Sequence, residues 1–350
     1  MLDRAKKIAV YMEGAVLGVG GKMGIGVLRY SPNPIACVVD SETAGRDIQA
    51  LTGVPRATPI VGSVAEALAL GSEVLLLGIA PPGGLIPAAW FPVIDEAVAG
   101  GLSIVNGLHD LLGPRYPQLS DDSSGLAQFV WDIRVEPAGL SPGTGRAAGL
   151  HCKRVLLIGT DMNVGKMTAG LEIMRVSSER GVRTEFVATG QIGITVTGAG
   201  VPLDAIRVDF ASGSIEREVM AAGERGAELI VVEGQGALIH PGSTANLPLL
   251  RGSCPTHLIL CHRAGQEALT YLKNVKIPDL RAYIGLYEDL GEACGAFPRP
   301  VTVGVALNTF HVKHDDEALT ACREIEQKLG LPCADPIRHG PDRLVDALLA

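Results

Sequence analysis

The apolar positions of this chain fall into short continuous runs, separated by glycine- and proline-rich turns and by stretches of helical spacing. The runs over 7–12, 35–39, 74–78 and 102–105 are predominantly apolar, the pattern of strands buried on both faces of a parallel sheet. Helical spacing falls between them, over 22–29, 64–69 and 94–99. The alternation resumes with strands expected over 155–158, 184–188, 228–232, 257–260 and 301–307, and helices over 169–180, 215–225 and 316–329. In the last helix Leu319, Cys322, Ile325 and Leu329 share a face and read as core. This alternation predicts an α/β protein built from doubly wound parallel sheets. Between the two series, the stretch 137–149 holds Pro137, Pro142 and several glycines and reads as a linker. Two domains are therefore expected, a Rossmann-like one over 1–138 and a P-loop one over 139–350.

The richest chemistry lies in Gly159-Thr160-Asp161-Met162-Asn163-Val164-Gly165-Lys166-Met167-Thr168. An apolar strand precedes it and a helix follows, so it reads as a P-loop. Glycines let backbone N–H groups close around phosphate oxygens, the helix N-terminus adds partial positive charge, and Lys166 adds a full one. Two departures matter. Gly159 and Gly165 have five residues between them, where the usual P-loop has four. Met167 stands where a Ser or Thr would hold magnesium, and a thioether is a poor ligand for a hard cation. The segment from Thr160 and Asp161 through Asn163, Val164, Gly165, Lys166, Met167 and Thr168 is thus expected to bind phosphates, with no metal.

Composition narrows the options. A net charge of −8 argues against nucleic acid as the main partner. Seven cysteines without a C-x-x-C pair indicate neither a zinc framework nor a disulfide scaffold, and a cytoplasmic setting fits best. The long uncharged stretch over 74–94 contains four prolines, at 81, 82, 87 and 92, so no membrane span is expected.

In the first domain, Gly18-Val19-Gly20-Gly21-Lys22-Met23 lacks the third glycine of a dinucleotide fingerprint. A scaffold whose strand-end loops line a substrate pocket is the simpler reading, with His109 and Asp110 at one such strand end. In the second domain Glu233 ends an apolar strand after the P-loop, where a carboxylate can meet metal, water or an amine. The loop 189–194 is small-residue rich, and Asn308 ends a strand where a purine could be read.

The modified P-loop resembles that of dethiobiotin synthetases. A broader set of motifs resembles the D-glutamate N-acetyltransferase family: Gly20-Gly21-Lys22, Val39-Asp40-Ser41, Ile79-Ala80-Pro81-Pro82-Gly83-Gly84, Gly107-Leu108-His109-Asp110, Ala188-Thr189-Gly190-Gln191, Glu233-Gly234-Gln235-Gly236 and Ala306-Leu307-Asn308-Thr309. The resemblance implies acetyl-CoA as co-substrate, an acidic amino acid as acceptor, and Gln191 and Gln235 at the substrate site. The acceptor amine must lose a proton before attack, so a general base is required. Glu233, His240 and His109 are the candidates, in that order. Arg263 and Lys22 are the candidate cations for substrate carboxylates. A homo-oligomer is expected. An ATP-dependent ligase and a non-catalytic P-loop sensor remain the alternatives.

Overall fold

The computed structural model describes residues 2–121 and 127–350. The chain forms two compact units: Met1–Val135 with Gln191–Ala205, and Glu136–Gly190 with Ile206–Ala350. The segment Gln191–Ala205, which the sequence reading gives to the second domain, is part of the first unit.

In unit 1 the order is β1 (Ile8–Tyr11), α1 (Lys22–Tyr30), β2 (Ile35–Val39), α2 (Ile48–Thr52), β3 (Ile60–Val61), α3 (Val64–Ala69), β4 (Val74–Leu77), α4 (Phe91–Ala99), β5 (Ser103–Asn106) and β6 (Val130–Asp132). Its six strands pair in parallel in the order β3-β2-β1-β4-β5-β6. The order reverses between β1 and β4, the switch point where open α/β sheets bind ligands. The strands β1 and β4 are buried throughout, which is why they read as unbroken apolar runs. The glycines after β1 serve packing. A Cβ on Gly78 would lie 2.7 Å from Val10 and 3.0 Å from the Gly24 backbone, so α1 rests directly on the sheet only because both positions are bare.

Unit 2 runs β7 (Lys153–Gly159), α5 (Lys166–Glu179) and β8 (Thr184–Val187). After the excursion of α6 (Gln191–Thr197) into unit 1 it continues with α7 (Val208–Glu224), β9 (Leu229–Val232), α8 (Asn246–Ser253), β10 (His257–Arg263), α9 (Leu280–Glu292), β11 (Val301–Asn308), α10 (Asp315–Leu329), β12 (Cys333–Ala334) and α11 (Asp342–Leu349). These six strands are also parallel, in the order β12-β11-β10-β7-β9-β8. Both sheets match the expected α/β, doubly wound architecture. Among the described residues no helix is long and apolar enough to cross a membrane.

Several elements differ from the sequence reading. The stretch 189–194 is expected as loop, yet Gln191 opens α6. Its sequence is rich in β-branched residues, and Thr195 and Thr197 return their hydroxyls to the carbonyls of Gln191 and Gly193, the local bond that lets threonine sit in a helix. Burial of Ile194 and Val196 then overrides weak propensity. The helix α9 escapes the sequence reading altogether, although Asp279 caps it through the amides of Arg281 and Ala282 and Leu280, Tyr283, Ile284 and Tyr287 form its buried stripe. The helix α4 starts at Phe91, ahead of the expected 94, because Pro92 is harmless in a first turn.

Candidate functional site

In unit 2, Gly159, Val232, Arg263 and Asn308 end β7, β9, β10 and β11. Parallel pairing brings these ends to one edge of the sheet. There the P-loop turns from β7 into α5. Gly165 takes a left-handed φ of 101° and Asn163 one of 55°. No side chain caps the N-terminus of α5, and its first turn has no acidic residue, so its first amides and dipole face outward as an anion-binding end.

Lys166 opens α5 and is buried. Its ammonium donates to the Asp161 carbonyl at 2.9 Å. Burial lowers its pKa to about 8, against the opposing pull of Cys261, Asp161 and Glu233. The stem runs through a channel only glycines can line. A Cβ on Gly159 would sit 2.8 Å from Nζ. One on Gly234 would lie 2.9 Å from Cδ and overlap the Leu157 carbonyl oxygen. Gly234, next to Glu233, is thus seated against the P-loop lysine.

Other P-loop residues hold the loop itself. The Asp161 carboxylate accepts from the Thr270 amide and hydroxyl at 2.7 and 2.8 Å, from Gln266 at 2.7 Å and from the Met162 amide at 2.7 Å. Burial would raise its carboxyl pKa, but these hydrogen bonds hold it below the ordinary value. The expected phosphate ligand Asp161 therefore anchors the segment 266–270. Thr160 bonds the buried His262 ring at 2.9 Å, and burial, with Lys328 and Arg263 adding, lowers the His262 pKa to about 4. Val164 is a core residue whose carbonyl lies 3.4 Å from the Asn308 amide nitrogen. Met167 and Thr168 are half-buried in the first turn. Arg263 is the last residue of β10 and donates to the Asn163 carbonyl at 2.8 Å, so its guanidinium serves the P-loop backbone in this structure.

The Glu233 carboxylate is buried. Its Oε2 accepts from the Thr189 and Gly190 amides at 2.8 and 3.1 Å, and Gln235 donates to the Thr189 carbonyl at 2.6 Å. Glu233 and Gln235 together clamp the turn 189–190. Oε1 faces the bare surface of Gly190, 3.3 Å from where a side chain would begin. His240 stands farther along the same loop, its Nδ1 accepting from the Gly242 amide at 3.1 Å. A neutral ring bonded this way carries its proton on Nε2.

Sequence reasoning missed a hydrogen-bonded support for this loop. The Tyr283 hydroxyl donates to the Gly159 carbonyl at 3.0 Å, and the Leu238 amide reaches the Tyr283 and Tyr287 hydroxyls at 3.1 and 3.3 Å. Tyr287 continues to Asn246 at 2.7 Å and Asn246 to Ser243 at 3.0 Å. Burial raises the pKa of both tyrosines, keeping them neutral donors. Their i, i+4 spacing behind the capping Asp279 is the trace that could have revealed them. Phe310, two residues beyond Asn308, is 91% exposed and was also missed.

Unit 1 gathers a separate set. Lys22 opens α1, exposed at its surface, yet burial of its surroundings and the nearby Arg134 lower its pKa. His109 follows β5, and its Nε2 is in short contact with Arg134 Nη1. Gln191 opens α6, its Cγ 3.2 Å from where a Cβ on Gly107 would lie. Lys22, His109 and Gln191 are therefore residues of unit 1, and the P-loop, Glu233, Gln235 and His240 are residues of unit 2. Among the described residues no group of three or more His, Cys, Asp or Glu side chains could hold a metal ion.

The two halves each match a family description. Residues 41–136 match "Domain of unknown function (DUF1611_N) Rossmann-like domain", and residues 141–345 match "Domain of unknown function (DUF1611_C) P-loop domain". The chain belongs to the DUF1611 family. A DUF1611 family protein from Anabaena variabilis, solved by crystallography, is 44% identical, covers 98% of this chain and 99% of its own, and superposes with a TM-score of 0.93. A D-glutamate N-acetyltransferase from a Pseudoalteromonas species is 35% identical over 284 residues, 81% of this chain and 83% of the relative. Another, from Tritonibacter scottomollicae, is 36% identical over 288 residues, 81% and 84% of the two chains. This kinship makes the DUF1611 chain described here an N-acetyltransferase, as the motifs led us to expect.

Proposed function

We propose that the protein moves the acetyl group of acetyl-CoA to the amine of an acidic amino acid, D-glutamate first among them. The observation that carries this reading is the seat of Lys166 between Gly159 and Gly234 with Glu233 beside it: a phosphate grip and a buried carboxylate at one sheet edge. Relatives named for D-glutamate N-acetylation support the substrate pair.

In this reading the amides of Gly165 to Thr168 and the Lys166 ammonium bind the CoA phosphates. Asn308 and the exposed ring of Phe310 receive the adenine, the ring by stacking. The acceptor amine arrives protonated, and a base must take one proton before nitrogen attacks the thioester carbonyl. His240 Nδ1 and His109 Nε2 are each engaged as acceptors, and in this reading the buried Glu233 carboxylate beside the P-loop lysine takes the proton. The negative charge then gathering on the carbonyl oxygen is met by N–H donors of the Gly234-Gln235-Gly236 turn. Collapse of the intermediate breaks the C–S bond and releases CoA thiol. Incubation of the protein with acetyl-CoA and a panel of D- and L-amino acids, followed by thiol release, tests the reaction. Turnover confined to acidic amino acids supports it; no thiol release with any panel member overturns it. Glu233→Gln should then lower kcat by about 100-fold or more, the usual worth of a positioned base, in a protein that melts like wild type. Unchanged kcat would remove Glu233 as the base.

A further inference from the structure

Two buried tyrosines of unit 2 carry hydroxyls that a packed core does not need. Tyr283 and Tyr287 share one face of α9 and are 1% and 0% exposed. Their rings meet edge to face, with centroids 5.2 Å apart. Phenylalanine would fill the same space without the cost of burying a hydroxyl. The presence of the two hydroxyls is therefore explained by what they bond.

Hydrogen-bond chemistry fixes the direction of each bond. A backbone amide only donates, so both hydroxyls accept from Leu238, at 3.1 and 3.3 Å. Each then has a single proton to give. Tyr287 gives its proton to Asn246 Oδ1 at 2.7 Å. Asn246 donates in turn to Ser243 Oγ at 3.0 Å, which also accepts from the Ala237 amide at 3.3 Å. These bonds return to the segment 237–246. The Tyr283 proton goes elsewhere, to the carbonyl of Gly159 at 3.0 Å, the last residue of β7 before the P-loop.

The turn that opens this loop is thus fastened at both ends. Gly234 fits against the Leu157 carbonyl and the Lys166 stem only because it lacks a Cβ. Leu238 is tied to Gly159 through Tyr283. Between them Gly236 takes a left-handed φ of 65°, and a Cβ there would overlap Ser243 Oγ. The amides of Ala237 and Leu238 are committed to these bonds, whereas those of Gly234, Gln235 and Gly236 meet no acceptor among the described residues.

We propose that Tyr283 is a positioning residue of the N-acetyltransferase site: its hydroxyl holds the turn 234–236 in register with the P-loop, so that the two loops act as one rigid part. The hydroxyl moves no proton in the reaction. Burial raises the pKa of both tyrosines, and they stay neutral near neutral pH. The catalytic use of the turn amides rests on the acetyl-transfer reading; the link between the loops does not.

Hydrogen exchange of the ligand-free protein tests the link without turnover. Tyr283→Phe removes one oxygen and keeps the ring pair. It should speed exchange at 160–165 and at 237–243 together. Tyr287→Phe leaves the Gly159 bond in place and should speed exchange at 237–246 alone. The same pattern in both variants, or a change confined to α9, overturns the link. If Tyr283→Phe does not fold, wild type decides: with rising denaturant the amides of Thr160 and Leu238 should merge into one opening, and separate openings overturn the link. Steady-state assays test the positioning role. Tyr283→Phe should lower kcat at least about tenfold, since a shift of about 1 Å far from the chemistry can cost about 100-fold. The KM for acetyl-CoA should stay within about twofold and the pH profile should keep its shape. A lower melting temperature with unchanged kcat overturns the positioning role and leaves a structural brace. The predicted exchange pattern in a protein that transfers no acetyl group supports the link and sinks the acetyl-transfer reading alone.

Discussion

The two units place a glycine-then-lysine pair at the same point of the same architecture. In each, a central strand of a six-stranded parallel sheet leads through a glycine-rich turn to a helix whose first residue is lysine: Gly21-Lys22 after β1, Gly165-Lys166 after β7. The settings then diverge. Lys166 is buried against Gly159 and Gly234, which lowers its pKa to about 8. Lys22 stays exposed and stands near Arg134. One scaffold thus places one glycine-lysine pair in an enclosed seat and the other at an exposed helix start. The lesson is that a Gly-Lys pair opening a helix reads alike in both sequences, and only burial tells the two settings apart.

The largest test of this contrast is steric. Gly234→Ala forces a methyl group into the Leu157 carbonyl and against the Lys166 stem, and should cost about 3 kcal/mol or more. Gly45→Ala in unit 1, where nothing lies within 4 Å but φ is +81°, should cost only about 1 kcal/mol from backbone strain. Chemical denaturation of both variants checks this, and equal losses would break the picture of a tight lysine channel.

Acid should separate the units next. The folded His262 has a pKa near 4, whereas an unfolded histidine titrates near 6.5. Between those values the unfolded chain binds a proton the folded one refuses, so stability falls as pH drops from 6.5 towards 4, by up to about 3 kcal/mol. His257, whose pKa is lowered by burial and by Lys153 and Arg154, acts in the same direction. Unit 1 holds a single histidine, His109, so unit 2 should open first. Hydrogen exchange at pH 7 and pH 4.5 reads the difference, and His262→Gln should reduce it; earlier opening of unit 1 would contradict the assignment.

A smaller effect concerns the two lysines as ligands. Lys166→Ala should weaken CoA binding by at least about 1.5 kcal/mol. With a pKa near 8 in the free protein, the wild-type lysine loses its charge as pH rises, so CoA affinity should decline from pH 7 to 9. The slope due to this lysine should vanish in Lys166→Ala. Calorimetry across that range, showing the same pH slope for wild type and variant, would count against Lys166 as the phosphate cation.

The smallest expected effect is none. Met167 offers no hard oxygen for magnesium, and acyl transfer from a thioester has no phosphoryl charge to neutralise. Acetyl transfer should therefore persist in excess EDTA, and Met167→Ser should not raise it. Activity that vanishes with EDTA and returns with Mg²⁺ would move the ATP-dependent ligase forward.

The sequence by itself determined the architecture and the place of the P-loop between β7 and α5. Doubly buried strands must be apolar without interruption, so β1, β4, β7 and β9 are legible as composition, and a Gly-Lys pair between strand and helix is local in the chain. It also placed Glu233 at the end of β9, because a strand end is a position along the chain. Only the tertiary structure decided what those groups touch. Asp161 and Arg263 look like ligand residues by type, yet hydrogen bonds to Thr270, Gln266 and the Asn163 carbonyl commit them to the loop. Tyr283, which bonds the P-loop carbonyl of Gly159, comes from a helix more than a hundred residues further on, and Gln191 belongs with unit 1 although Gly190 before it lies in unit 2. Arg134 is a charged residue like many others until folding buries its Nε and leaves that N–H without a hydrogen-bond partner among the described residues. Periodicity and motif spacing are local and survive in one dimension. Burial, hydrogen-bond satisfaction and the meeting of distant side chains depend on long-range packing, and no spacing in the sequence records them.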